Sequence, residues 1–447
     1  MAIILKPIFK NKALKFKFIK LHFLLIFILS ALSATSQISY FPPQDGSSWA
    51  KSPPSSHNFC QDRIHELFDY LDQTNTKAFI LLIDGKIVIE KYFNTFTKES
   101  STSWGTSSET LAAFLVGIAA SENLLSTEDL SIKYLGNNWS SGLAEFEKEV
   151  KLKHHISMTS GLQRNSPFLS CITPECLKLT KQPGTVWEYN EANFPIILKV
   201  IEKASNQTVN KYLFEKLRAT VGISGSFDKK NNNGYFVSNA RSMARFGLLL
   251  LNEGVWDSLA ILGNSDFFKQ MTSPSQSLNP SYGYLTWING QNSFVNPKNS
   301  TIEKSSISKV APKDLFTSIG VDDQLINVVP SQKMVWIRLG EASKAKKNQI
   351  DLDYNDEVWE KIKYLKCKSK EANASKKGTS PSDFLKLTSK VPIKRIMVSD
   401  SNGKIHYAAE INSNELNIAL SNFSKGSYFA KILFVNDIVS TKRFTVN

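Results

Sequence analysis

The sequence predicts an α+β protein followed by a small β-sandwich, and three observations carry that prediction. Two apolar hairpins lie far apart in the chain with amphipathic helices between them, the pattern of an antiparallel sheet assembled from both ends of a domain. Residues 381–447 alternate apolar and polar side chains between Gly-containing turns, the period of short strands. The charge is uneven. Of a net +14, residues 1–36 contribute +6 (six Lys, no acid), 368–380 contribute +3 and 381–447 contribute +4, so 37–367 carries only +1. A nearly neutral central segment has no electrostatic footprint for nucleic acid. With 42% hydrophobic and 21% charged residues, the chain is also not a disordered one.

The first element is an address. Lys6, Lys10, Lys12, Lys15, Lys17 and Lys20 form a basic n-region, Phe23 to Leu32 a short apolar core, and Ala31, Ala34 and Ser36 the small residues before a cleavage site at Gln37. That is the layout of a signal peptide over 1–36. No apolar run reaches the roughly 18–20 residues of a spanning helix, so an integral membrane protein is not expected after cleavage. Export permits disulfides. Of four Cys, Cys171 and Cys176 flank Ile-Thr-Pro-Glu and are expected to pair locally, leaving Cys60 and Cys367 to tie the start of the central domain to its end. A zinc site is the weaker reading, because there is neither a second close Cys pair nor a His-x-x-x-His motif.

The central domain, 37–367, starts with an amphipathic helix over 60–74. A hairpin follows from Lys77 to Phe93, turning at Asp84-Gly85, a strong hairpin signal between apolar runs. Thr106 to Ser121 reads as an apolar helix, and further helices are expected at 194–204, 208–218, 239–253 and 353–365. Gln324–Val329 and Lys333–Leu339 form the second hairpin, around Pro330-Ser331. Residues 368–380 are a polar linker with no apolar period. Short strands then run to the end, with turns at Ser401-Asn402-Gly403-Lys404 and Lys425-Gly426.

Several blocks of the central segment resemble the serine β-lactamase and penicillin-binding-protein-like family, class C type. They are the Lys77–Phe93 hairpin, Trp104 before Leu111–Ala119, His155-Ile-Ser-Met-Thr-Ser-Gly-Leu162, Pro183-Gly-Thr185…Trp187-x-Tyr189, Ser242–Leu248, Tyr282-Gly-Tyr284 and Gln324–Ser331. The resemblance spans about residues 60–366. It implies an antiparallel sheet flanked by helices, with an all-α subdomain and the site between them. The end of the chain resembles the C-terminal sorting domain of the type IX secretion system. Asp400…Asn402-Gly403-Lys404, Gly426-x-Tyr428-Phe429 and Lys442…Phe444…Val446 carry that likeness. It implies the type IX machinery as a partner, and a protein that is secreted or held at the cell surface.

Enzymes of the resembled family use Ser-x-x-Lys at a helix start, so that serine and base share one helix face a turn apart. They add Tyr-x-Asn and a Lys- or His-x-Gly strand. In register with Trp104 and Leu111–Gly117, the nucleophile position falls on Thr106 and the lysine position on Glu109. In register with Trp187, the tyrosine is Tyr189 and the amide position is Glu191; the third box falls on Ser318-Ile319-Gly320, with Ser318 in place of the cation. Other Ser-x-x-Lys matches (Ser48/Lys51, Ser226/Lys229, Ser306/Lys309, Ser343/Lys346, Ser401/Lys404) do not precede an apolar helix. Thr106-x-x-Glu109 instead reads as a capping box, with Thr106 accepting from a first-turn amide and Glu109 reaching back.

These departures predict an exported domain that has lost the serine hydrolase machinery and acts in binding or as a scaffold. The alternative is a residual esterase, β-lactamase or peptidase with Thr106 as nucleophile and Tyr189 as base. Glu109 and Glu191 as an acid/base pair or as metal ligands is a further reading. By resemblance, Trp104, Tyr282, Tyr284, Ser318, Gly320, Asp322 and Asp323 line the cleft; Asp322-Asp323 otherwise reads as a solvated turn, and core packing is an equal reading for the three aromatics. Of His154-His155, one is expected in the core and one in solvent. No nucleotide-binding glycine loop occurs, so a nucleotide cofactor has no support; no cofactor or metal is expected, metal binding by Asp322-Asp323 being a lesser reading than the solvated turn. Cell-wall peptide, a surface glycan or a protein all remain open as ligand.

Overall fold

The structure, a computed structural model, describes residues 40–446 except 45–47, 165–172, 231–233, 344–349, 368–383, 401–402 and 421–422. The expected signal peptide, the linker and Cys171 lie outside the described residues. The chain divides into two compact units between Cys367 and Lys368.

In the first unit, α1 (Gln61–Gln73) buries Ile64, Leu67 and Leu71 on one face. It leads into β1 (Thr76–Ile83) and β2 (Lys86–Tyr92), joined where Asp84 and Gly85 both take positive φ, as a tight hairpin turn requires. Next come α2 (Ser108–Ser121), α3 (Asn193–Ser205) and α4 (Ala240–Leu251). The chain then forms β3 (Trp287–Ile288), β4 (Phe316–Ile319), β5 (Leu325–Val329), β6 (Met334–Gly340) and α5 (Leu352–Lys363). The strands make one antiparallel sheet in the order β3-β4-β5-β6-β1-β2, with Ile337 opposite both Ile80 and Ile326. The β6–β1 pairing joins the two sequence-distant hairpins.

Every residue of β5 and β6 is buried, because both faces of the sheet are covered. Val335 packs toward α4 at Gly247, while Trp336 meets Trp359 of α5 edge-on. Residues Ser108 to Ala119 of α2 are all buried, and α2 packs on α3. A helix apolar on all sides belongs inside a domain. The expected helix 208–218 is an α-turn, Val209–Leu213, capped by Thr208 and continued as a π-turn over Phe214–Arg218. Cys60 and Cys367 form the disulfide that closes the unit on itself. Among the described residues no cysteine is free.

The second unit is a four-stranded antiparallel sheet: β7 (Phe384–Asp400), β8 (Ile405–Ala419), β9 (Gly426–Phe434) and β10 (Val439–Val446), in the order β8-β7-β9-β10. Register breaks between Thr388 and Ile393 divide the long β7. Leu385, Leu387, Ile393, Ile396, Val398, Ile418, Tyr428, Ala430 and Ile432 form a core of its own.

Candidate functional site

The site is built around the start of α2. Trp104 is fully buried, edge-on to Phe236. Gly105 follows at φ +53, where a Cβ would stand 2.9 Å from the Val321 side chain, so the left-handed turn and the close approach both require glycine. Residues Gly105–Ser107 wind as a 3-10 turn, and α2 begins only at Ser108, with no side-chain cap at Ser107. The capping box expected from Thr106 and Glu109 is therefore not formed. Thr106 Oγ1 accepts instead from the Val321 N–H (2.9 Å), and Glu109 Oε2 accepts from the Tyr189 hydroxyl (2.8 Å). Long-range partners outcompeted the local ones. The Ser107 hydroxyl donates to the Gln324 carbonyl and that of Ser108 to the Gly105 carbonyl (both 2.7 Å).

Strand β4 and the turn after it form one wall. A Cβ at Gly320 would lie 2.6 Å from the Ser107 amide nitrogen, so this glycine is what lets the strand reach α2. The Ser318 hydroxyl lies 2.8 Å from that of Thr110 and 3.2 Å from the Ser107 carbonyl. Asp322 and Asp323 both take left-handed φ (56° and 61°). They do not form the solvated turn expected. The Asp323 carboxylate is buried and accepts from the Ser343 N–H (2.8 Å), and the buried Arg338 guanidinium donates to both aspartate carbonyls (3.0 and 2.9 Å). Among the described residues no group of three His, Cys, Asp or Glu is placed to hold a metal.

The second wall carries Tyr189 and Glu191. Between them the Asn190 amide donates to the Leu162 and Gln163 carbonyls (3.1 and 3.0 Å), which pins the segment. Tyr189 stacks on Trp287, and Tyr282 sits fully buried between Trp187 and Trp287. The buried Tyr284 donates to Gln270 (2.9 Å). Trp104, Tyr282 and Tyr284, expected to line a cleft, are packing residues of its walls. His155 is fully buried between Ser131 and Asn193, and burial takes it down to about 4. His154 is partly buried, also lowered by burial to about 4, so both rings are neutral at pH 7.

Thr106, Glu109, Tyr189, Glu191, Ser318 and Gly320 thus lie around one helix start, and the four candidate catalytic residues are buried. Burial holds the Glu109 carboxyl well above the usual carboxylate range; the Tyr189 hydrogen bond opposes this and the neighbouring Glu191 adds to it. Glu191 is also raised by burial, against a backbone hydrogen bond and Arg164, whose guanidinium is 3.8 Å away. Burial, then the Glu109 charge, pushes the Tyr189 phenol well up. A general base needs a pKa near the working pH, and Tyr189 moves the other way.

Three participants had no signal in the sequence: the Val321 amide, Arg164, and Tyr235. Tyr235 is buried with its hydroxyl unpartnered, as is Glu109 Oε1. They are brought in by tertiary contacts with no local pattern.

Residues 64–294, just over half of the chain, match the beta-lactamase family model. The chain belongs to the beta-lactamase family. Residues 381–447 match the secretion system C-terminal sorting domain. Among solved structures, a candidate 6-aminohexanoate-dimer hydrolase from Bacillus anthracis is similar at 18% identity and TM-score 0.55, over 73% of this chain and 91% of that one. A penicillin-binding protein homologue from Caulobacter crescentus is similar at 12% and 0.51, over 69% and 99%. At such identities the likeness is one of fold. No curated protein matches. Among the described residues, no helix of this family member is long and apolar enough to cross a membrane.

Proposed function

We propose that this chain is an exported, non-hydrolytic member of the beta-lactamase family, a binding or scaffold domain delivered to the cell surface or beyond by its sorting domain. One observation carries this reading: the Tyr189 hydroxyl donates to a buried carboxyl, Glu109, where the family resemblance places the lysine base. Where the resembled enzymes place a lysine cation, Glu109 supplies none, and burial together with the Glu109 charge pushes the Tyr189 phenol up rather than down. Thr106 moreover spends its oxygen on the Val321 N–H, a backbone amide of the kind that would otherwise hold a developing oxyanion.

The test is an assay of the full chain against nitrocefin and a short-chain nitrophenyl ester, beside Thr106→Ala, with intact-mass analysis for an acyl adduct. The expected result is no turnover, no adduct and no difference between the two proteins. Turnover or an adduct that disappears in Thr106→Ala overturns the reading. The triple variant Thr106→Ser, Glu109→Lys, Glu191→Asn asks whether the scaffold is still competent; ester hydrolysis gained by the folded variant would locate the loss at these three residues.

A further inference from the structure

The two carboxyls and their surroundings specify a ligand charge. Glu109 Oε2 is satisfied by Tyr189, but Oε1 is buried and without a partner, in a side chain only 2% exposed. The Tyr235 hydroxyl, on the segment leading to the strand that pairs beside Trp104, is likewise buried and unpartnered. Tyr235 is held beside the start of α2, because the N–H of the next residue, Phe236, donates to the Ser108 hydroxyl (2.8 Å), and the charges of both Glu109 and Glu191 act on its phenol. Leaving a buried polar atom unmade costs about 1–3 kcal/mol, and two such atoms sharing one field point to a missing hydrogen-bonding group. The cation within salt-bridge reach is Arg164, more than a third exposed, at 3.8 Å from Glu191, with its Nη1 committed to the Pro297 carbonyl (2.6 Å). Exposure falls from Arg164 to Glu191 to Glu109, so the carboxyls are buried more deeply than the guanidinium beside them.

We propose that Glu109, Glu191 and Tyr235 bind the ammonium group of a small organic amine. This rests on the non-hydrolytic reading above and names the ligand class of the same site. An ammonium carries three donors and no acceptor. It matches Glu109 Oε1, a Glu191 oxygen and the Tyr235 oxygen, all acceptors once both carboxyls are ionised. A carboxylate ligand at the same place would meet two like charges. The titratable and charged groups that act on one another here are Glu109, Glu191, Tyr189, Tyr235, Tyr282, Asp322 and Arg164. The three phenols stay neutral at working pH. Burial raises both carboxyls in the free protein, and a bound cation opposes that shift, so any proton they hold is drawn off on binding. Binding then releases protons and tightens as pH rises.

The probe is butylammonium, with butyrate as the control of equal chain length and opposite charge, titrated calorimetrically into the full chain in phosphate and in MOPS. The expected result is saturable binding of butylammonium alone, with a buffer-dependent heat that reports proton release. Glu109→Gln is expected to weaken it by roughly tenfold or more. Tyr235→Phe is expected to weaken it several-fold while leaving the unfolding midpoint of the ligand-free protein unchanged, an outcome a merely structural tyrosine would not give. No saturable binding by the folded protein, or binding indifferent to both substitutions, overturns the proposal. Nitrocefin and ester assays on the same samples keep the two readings apart. Thr106-dependent turnover defeats the non-hydrolytic reading whatever the amine does; absence of both turnover and amine binding defeats only this proposal.

Discussion

Around the first turn of α2, the wall formed by β4 and its turn leaves its hydroxyls occupied, whereas the wall of Tyr189 and Glu191 leaves polar atoms idle. Toward the first wall Thr106, Ser107 and Thr110 of the helix start bond to Val321, Gln324 and Ser318, and Gly320 holds the strand against the Ser107 amide. Toward the second, Glu109 Oε1 on α2 and the Tyr235 hydroxyl are buried without partners, although Glu109 Oε2 is held by Tyr189. The first wall is a finished piece of interior. The second carries an unmet hydrogen-bonding demand, which is what a binding surface looks like before its ligand arrives.

Substitutions sharpen that difference. The largest loss is expected for Gly320→Ala, because the new Cβ meets backbone rather than a side chain that can swing away. About 3 kcal/mol or more is expected in denaturant unfolding. An alanine tolerated within 0.5 kcal/mol would mean the wall is looser than described. Thr106→Ala leaves the Val321 N–H buried and unpaired and should cost about 2 kcal/mol, while Thr106→Ser keeps the acceptor and should cost less than about 1. Equal losses in the two variants would place the cost in the methyl group instead.

On the second wall the signs change. The folded-state pKa of Glu109 lies above its unfolded value, so the native state binds the extra proton. Its contribution is fully present below pH ~4 and is lost as pH rises toward the folded pKa, at about 1.4 kcal/mol for each pH unit crossed. Glu109→Gln removes that dependence. The variant should gain on the parent as pH rises above ~4 in thermal or urea unfolding; a gap constant with pH would show that the carboxyl titrates normally. The smallest effect is expected for Tyr235→Phe, within about 0.5 kcal/mol of the parent, since no hydrogen bond is lost.

Much of the scaffold was legible because it is written locally. Asp84-Gly85 between apolar runs specifies its own hairpin, and the unbroken apolar stretch from Leu111 to Ala119 specifies a buried helix. The gathering of Thr106, Glu109, Tyr189 and Glu191 followed from the blocks around them. What could not be read was how those side chains choose partners. Thr106-x-x-Glu109 is a sound local cap, yet the Val321 amide and a distant phenol offered better geometry once the 3-10 turn had moved the helix start to Ser108. Asp322-Asp323 reads as a polar surface turn, but the buried Arg338 draws its carbonyls inward. Trp104, Tyr282 and Tyr284 are large enough to serve either a cleft or a core, and only packing against Phe236, Trp187 and Phe267 decides it.

The bond between Cys60 and Cys367 spans 307 positions and turns everything from α1 to α5 into a covalent ring, with the sorting sequence as an unringed tail. A protease that nicks a loop inside the ring frees no fragment until the disulfide is reduced, whereas a cut beyond Cys367 sheds the tail at once. On a non-reducing gel the two events differ by a whole band, so the site of processing can be assigned by whether mass is lost before or only after thiol is added.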